Sequence, residues 1–123
     1  NFMALGTCDQ GNLVTVSDLT ILSRYILAEK PWLWQITREA NATIYTIGSY
    51  FYEIKSTNLL LSEFPAIIGG KTGYTDGALG CMIAEENLPE QESSLIFIIL
   101  GSTDRFGEVR KLSDWSKAAF RWR

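Results

Sequence analysis

The residues of this chain best suited to chemistry sit in GGKTGYTDGALGCMIA, positions 69–84. Lys71 is followed by Thr72 and Gly73, with Gly69 and Gly70 before it and Gly77 and Gly80 after it. Beside a reactive serine, each member of that triplet has a use. The Lys71 ammonium supplies fixed positive charge next to a nucleophile and helps proton movement. The Thr72 hydroxyl holds a substrate carboxylate. Gly73 lets a substrate backbone lie close against an edge strand, as in strand addition. The backbone N–H of the next residue, Tyr74, serves an oxyanion. Taken alone, the triplet is equally an exposed lysine at a plain strand start, so its neighbours must add the information. Strand alternation also sends Lys71 and Thr72 to opposite faces. Both serve one site only if their strand is an edge strand, with the cleft along its rim.

Other chemistries find little support. The chain has 123 residues and no histidine, so proton transfer falls to Lys, carboxylates, Tyr or Cys. Cys8 and Cys81 lack metal-type spacing, and neither a metal nor a cofactor is expected. Cys81, in an apolar run, reads as a small buried hydrophobe, while a disulfide to Cys8 stays open. The net charge is -3 with no basic block, which argues against nucleic acid. The length suits one domain with a real core, and 46% hydrophobic with 20% charged residues is ordinary for a soluble globular protein. SLIFIIL falls far short of the ~20 residues that span a membrane. No signal peptide is visible and the chain starts at Asn1, which predicts a processed product or a piece of something longer.

The elements that must position these residues follow from periodicity. Residues 1–16 read as loop, with turns near Gly6 and Gly11. Ser17 is a plausible N-cap for a helix to Glu29, whose Leu19, Leu22, Tyr25 and Ile26 share a face. Pro31 ends that helix and opens a second, PWLWQI, with Trp32 and Trp34 read as packing residues. TIYTI (43–47) and YFYEI (50–54) flank Gly48-Ser49 as a hairpin with a two-residue turn. KSTNLLLSEFPAIIGG reads as an irregular connector, KTGYT as a short strand, and ALGCMIA and SLIFIIL as two more. The last two are joined by a solvated acidic loop, 85–92. Residues 105–123 are helical in pattern, with Arg121 and Arg123 placed to complement the dipole. Helix, hairpin, three strands and helix predict an α+β fold with a mainly antiparallel sheet flanked by helices.

GGKTGYTDGALGCMIA resembles the corresponding stretch of penicillin-binding, serine-type D-alanyl-D-alanine carboxypeptidases. The likeness continues along the chain in the family's order. VTVSDLTILSRYIL looks like the helix after its active-site helical region, and STNLL like its Asn-x-Leu-Leu element. SLIFIILGSTDRFGEVRKLSDW looks like its last core strand and final helix. The resemblance implies part of a β-lactamase/transpeptidase-like fold, the part that carries the third of three motifs: Ser-x-x-Lys, Ser-x-Asn and Lys-Thr-Gly. No serine here has a lysine three residues on. Ser56-Thr57-Asn58 spells Ser-x-Asn but lies inside the Asn-x-Leu-Leu element, so no catalytic role is assigned to it. Residues 1–123 are therefore expected to be a single C-terminal piece of a D,D-peptidase domain.

Carried over by position, Lys71 would be the motif lysine and Tyr74 the oxyanion donor through its backbone, both catalytic. Thr72 and Gly73 would bind substrate, and Arg105, ten residues before Trp115, would bind the peptide's terminal carboxylate with its guanidinium fork. The implied partners are peptidoglycan stem peptides and β-lactams, and the implied location is extracytoplasmic. A β-lactamase of the same fold, a non-catalytic wall-binding module and an unrelated α+β domain are the competing readings. YTDGA and RFGEVRKLSDW favour the carboxypeptidase over the β-lactamase. SLIFIIL, apolar at nearly every position, looks built to be paired on both sides. It should drive self-association or pairing with a missing N-terminal half.

Overall fold

A computed structural model describes residues 13–48, 50–88, 90 and 93–121. Cys8 and the 1–12 loop, Ser49, Trp122 and Arg123 lie outside the described residues. Helix α1 (Val16–Glu29) leads into α2 (Pro31–Ile36), followed by strands β1 (Asn41–Tyr45) and β2 (Phe51–Lys55). A short α3 (Leu60–Glu63) precedes β3 (Ile67–Thr75), β4 (Leu79–Leu88) and β5 (Ser93–Ser102), and α4 (Arg105–Ala119) closes the fold. The expected order of elements and the antiparallel sheet are present: β3-β4-β5 form one antiparallel sheet and β1-β2 a separate two-stranded one.

Alternation along the strands sorts the core into two layers. Leu60, Ile67, Met82, Ala84, Phe97, Ile99 and Val109 pack on the face covered by α3 and α4. Leu19, Trp34 and Ile83, with Ile96, Ile98 and Leu100, pack on the face covered by α1 and α2. Trp34 is buried, whereas Trp32 is exposed. Cys81 is fully buried, as its apolar neighbours imply.

Several boundaries differ from the sequence reading, each for a local reason. The first helix is capped by Thr15, not Ser17: the Thr15 hydroxyl accepts from the Asp18 N–H while Asp18 accepts from the Thr15 N–H. Bonds from the Thr15 hydroxyl and then its backbone hold the Asp18 carboxyl below its ordinary value, so the box is intact at neutral pH and is lost only in acid. The hairpin turn is longer than two residues, because Tyr45 pairs with Phe51 and the chain crosses through Gly48 at φ +116°. The connector is more regular than expected, since α3 and the start of β3 lie within it. The last helix stops at Ala119, with Lys117 as the cation of its last turn.

The largest correction concerns Glu85 and Glu86. They belong to β4, not to a solvated loop, and are 2% and 0% exposed. Glu85 faces α2 and receives the Arg38 guanidinium at 3.1 Å. Glu86 faces α4, where the Ser113 hydroxyl donates at 3.0 Å and Lys117 lies at 2.5 Å. A buried carboxylate is tolerated only when it is paired and hydrogen-bonded.

Two outcomes follow from this architecture. Lys117→Ala should cost about 1–3 kcal/mol by leaving the buried Glu86 charge short of its cation. Glu86→Leu combined with Lys117→Met should recover most of that loss, since an apolar pair of similar volume often replaces a buried ion pair at little cost. Urea unfolding of the single and double variants measures both, and a Lys117→Ala protein as stable as the parent would remove the pair from the stabilising set.

The second outcome concerns β5, which pairs with β4 on one side and, among the described residues, with no strand on the other. An apolar strand with an open edge is a template for another chain. The isolated 123-residue chain should therefore self-associate with rising concentration in light scattering. A monomer at every concentration would show that this edge is covered within the chain.

Candidate active site

The site is built on β3, which among the described residues is an edge strand of its sheet. The pair of glycines before Lys71 has a steric cause. Gly70 sits at φ +148°, and a Cβ there would fall 2.1 Å from the Ile83 carbonyl oxygen. Only glycine lets the strand approach β4 so closely at that angle. The turn after α2 packs over the same spot, where the Gly70 N–H donates to the Thr37 hydroxyl at 3.0 Å.

That bond also orients the rest of the rim. In an antiparallel strand, alternate residues point both main-chain groups to the same side. Gly70 donates away from β4, and its register to Thr75 is unbroken, so Thr72 and Tyr74 also turn their N–H and C=O outward. Lys71 supports this reading, because its Nζ donates to the Thr72 carbonyl oxygen along the rim. The Tyr74 N–H thus faces the open edge, as an oxyanion donor would need.

The side chains divide by face. Lys71 pairs across with Ile83 and lies on the α1/α2 side, exposed. Thr72 pairs across with Met82 on the α3/α4 side and is 6% exposed. The expected conflict between them is real: the two side chains leave opposite faces, and they meet only along the edge, where Lys71 Nζ donates to the Thr72 carbonyl oxygen.

Arg105 opens α4 on the Thr72 side. Gly80 stands between them, paired with Tyr74 on one flank and Ser102 on the other. A Cβ at Gly80 would meet the Ser102 carbonyl at 2.7 Å and Arg105 Nη1 at 3.2 Å, so the bare backbone makes room for the guanidinium. The Arg105 Nε is buried and has no hydrogen-bond partner among the described residues, and the group stacks 4.8 Å from the Phe106 ring centre. Thr72 and Gly80 are diagonal neighbours, a separation of about 7–8 Å. A carboxylate near the rim would therefore meet a hydroxyl and a guanidinium from one face, with Lys71 on the other. Gly73, in register with Cys81 on the Lys71 side, has no side chain to obstruct a peptide.

Two features were not anticipated. The Thr57 hydroxyl lies 2.5 Å from that of Thr72. Leu79, at the far end of the β3-β4 turn, holds φ 56°, an unusual backbone state for a branched apolar residue beside a site. No periodicity marks either of them. Asn58 is buried, and its Oδ1 accepts the Leu60 N–H at 3.2 Å.

Comparison with known proteins bears on the fold and the family. No curated protein matches the chain in sequence. Among solved structures, a penicillin-binding protein homologue from Mycobacterium tuberculosis superposes at TM-score 0.77 and 24% identity, covering 98% of this chain and 46% of its own. A D-alanyl-D-alanine carboxypeptidase from the same organism gives TM-score 0.75 and 25% identity, covering 95% and 45%. Penicillin-binding protein D2 from Listeria monocytogenes, solved with cefotaxime bound, gives 0.71 and 29%, covering 89% and 44%. The chain thus spans a little under half the length of the structures it matches. The sequence profile of the D-alanyl-D-alanine carboxypeptidases matches residues 3–104, most of the chain, and the chain belongs to that family.

Proposed function

We propose that the protein is a serine-type D-alanyl-D-alanine carboxypeptidase of the bacterial cell wall, working outside the cytoplasm, in which these residues form the Lys-Thr-Gly wall of the cleft. The observation that carries the reading is the edge position of β3, which gathers Lys71, the Thr72 hydroxyl and the outward Tyr74 N–H on one rim. Family membership and the cefotaxime-bound relative support it.

In this reading the stem peptide lies along β3 as an added strand, and Gly73 leaves room for it. A serine from a Ser-x-x-Lys segment elsewhere in the protein attacks the carbonyl of the penultimate D-alanine. Its proton passes to the departing amine as the peptide bond breaks, and D-alanine leaves. The Tyr74 N–H stabilises the oxyanion of the tetrahedral intermediate. Water then attacks the acyl-enzyme, releases the shortened peptide and returns the proton to the serine. Lys71 holds positive charge beside the nucleophile throughout, while Thr72 and Arg105 receive the terminal carboxylate. β-Lactams would enter by the same route and stop at the acyl-enzyme.

Two measurements test this. The 123-residue chain alone should gain no mass on incubation with penicillin, because none of its serines has the required lysine. A covalent adduct on any of them would overturn the division of labour. In the full-length protein, Lys71→Ala should slow acylation by penicillin and peptide alike, by about a hundredfold or more. Arg105→Ala should mainly weaken use of the peptide, by about 1.5–3 kcal/mol for one charge-assisted contact. Near-parent turnover of a D-Ala-D-Ala peptide by both variants would show that the rim is not the site.

A further inference from the structure

Thr57 and Thr72 touch through their hydroxyls, 15 residues apart in sequence and at the edge of the proposed cleft. A hydroxyl carries one proton and two acceptor lone pairs. If Thr72 gave its proton to Thr57, none would remain for a carboxylate, which only accepts. If Thr57 gives its proton to Thr72 Oγ1, the Thr72 O–H is free to point outward, and the chain of two donors polarises toward the anion.

The surroundings favour a fixed Thr57. On one side the Ser56 N–H donates to the Ala40 carbonyl at 2.8 Å. On the other, Asn58 is 4% exposed and accepts from Leu60, which is fully buried in the core. The backbone is thus anchored on both flanks while the Thr57 side chain stays at the surface, beside a Thr72 that is 6% exposed.

We propose that Thr57 is a positioning residue for carboxylate recognition: it donates to Thr72 and sets the Thr72 proton toward the terminal carboxylate of the substrate. The inference rests on the carboxypeptidase reading and deepens it. Thr57 does not touch the substrate. It makes the enzyme selective for a peptide ending in a free carboxylate over one ending in a neutral group.

The test uses the full-length protein, an acylated D-Ala-D-Ala peptide and the same peptide with a C-terminal amide. Thr57→Val should raise KM for the free acid about tenfold, with kcat within about threefold, the size expected for loss of one well-aligned bond to a charge. The amide should change less than about twofold, because it has no anion to reward the alignment. Thr57→Ser, which keeps the donor, should restore the parent preference. If Thr57→Val does not fold, Thr57→Ala carries the same comparison. Equal losses on acid and amide would make the contact a tie between loop and strand, and no loss on either would remove its role, so both outcomes overturn the proposal. A parent protein that neither cleaves the acid nor is acylated by penicillin would instead sink the carboxypeptidase reading, and this inference with it.

Discussion

The neighbouring carboxylates of Glu85 and Glu86 tie β4 to both helical layers at once. Adjacent strand residues point to opposite faces, so β4 drives one buried charge into each layer. Each requires a cation from that layer's helical segment: Arg38 beyond α2 and Lys117 in α4. A slip of β4 by one residue would exchange the two faces and part both carboxylates from their partners. Such pairs add little net stability over apolar ones, but they penalise wrong registers heavily. The register they favour sets Gly69 opposite Glu85, and from there Lys71 opposite Ile83 and Thr72 opposite Met82.

The rim of β3 inherits its geometry from that register. An interior strand would spend its main-chain groups on two neighbours and isolate the residues of its two faces. At the edge, the outward N–H groups lie between a cation on one face and a hydroxyl on the other. Thr37 holds the strand at Gly70, where the edge begins, and beyond it the main chain faces outward from Thr72 onward. Gly80 extends the hydroxyl face by letting Arg105 lie against bare backbone. The rim is thus arranged by contacts that are themselves only packing and chain direction.

Much of this was legible in the amino-acid order. The 3.6-residue spacing of apolar positions identified α1 and α4, Pro31 marked the break before α2, and the apolar runs identified β4 and β5. The triplet at Lys71 and its flanking segments pointed to the family that the profile match shows. These signals are local: a period, a ring that cannot continue a helix, a short motif with its neighbours. Sequence reasoning also isolated the requirement that Lys71 and Thr72 share an edge strand, because alternation alone dictates it.

What only the tertiary structure decided depends on partners distant in the chain. Two consecutive glutamates near a proline look like solvent-facing loop. Arg38 and Lys117, 47 and 31 positions away, make them core. Thr57 carries no mark of its own, since its hydroxyl acquires meaning from the strand that returns beside it. The glycines at 70 and 80 were visible as letters, but their causes, the Ile83 carbonyl and the Arg105 guanidinium, belong to other elements. Local patterns determined which elements form, because backbone preference and apolar spacing act over a few residues. Burial of charge, close backbone approach and the meeting of hydroxyls were decided only when the chain folded back on itself.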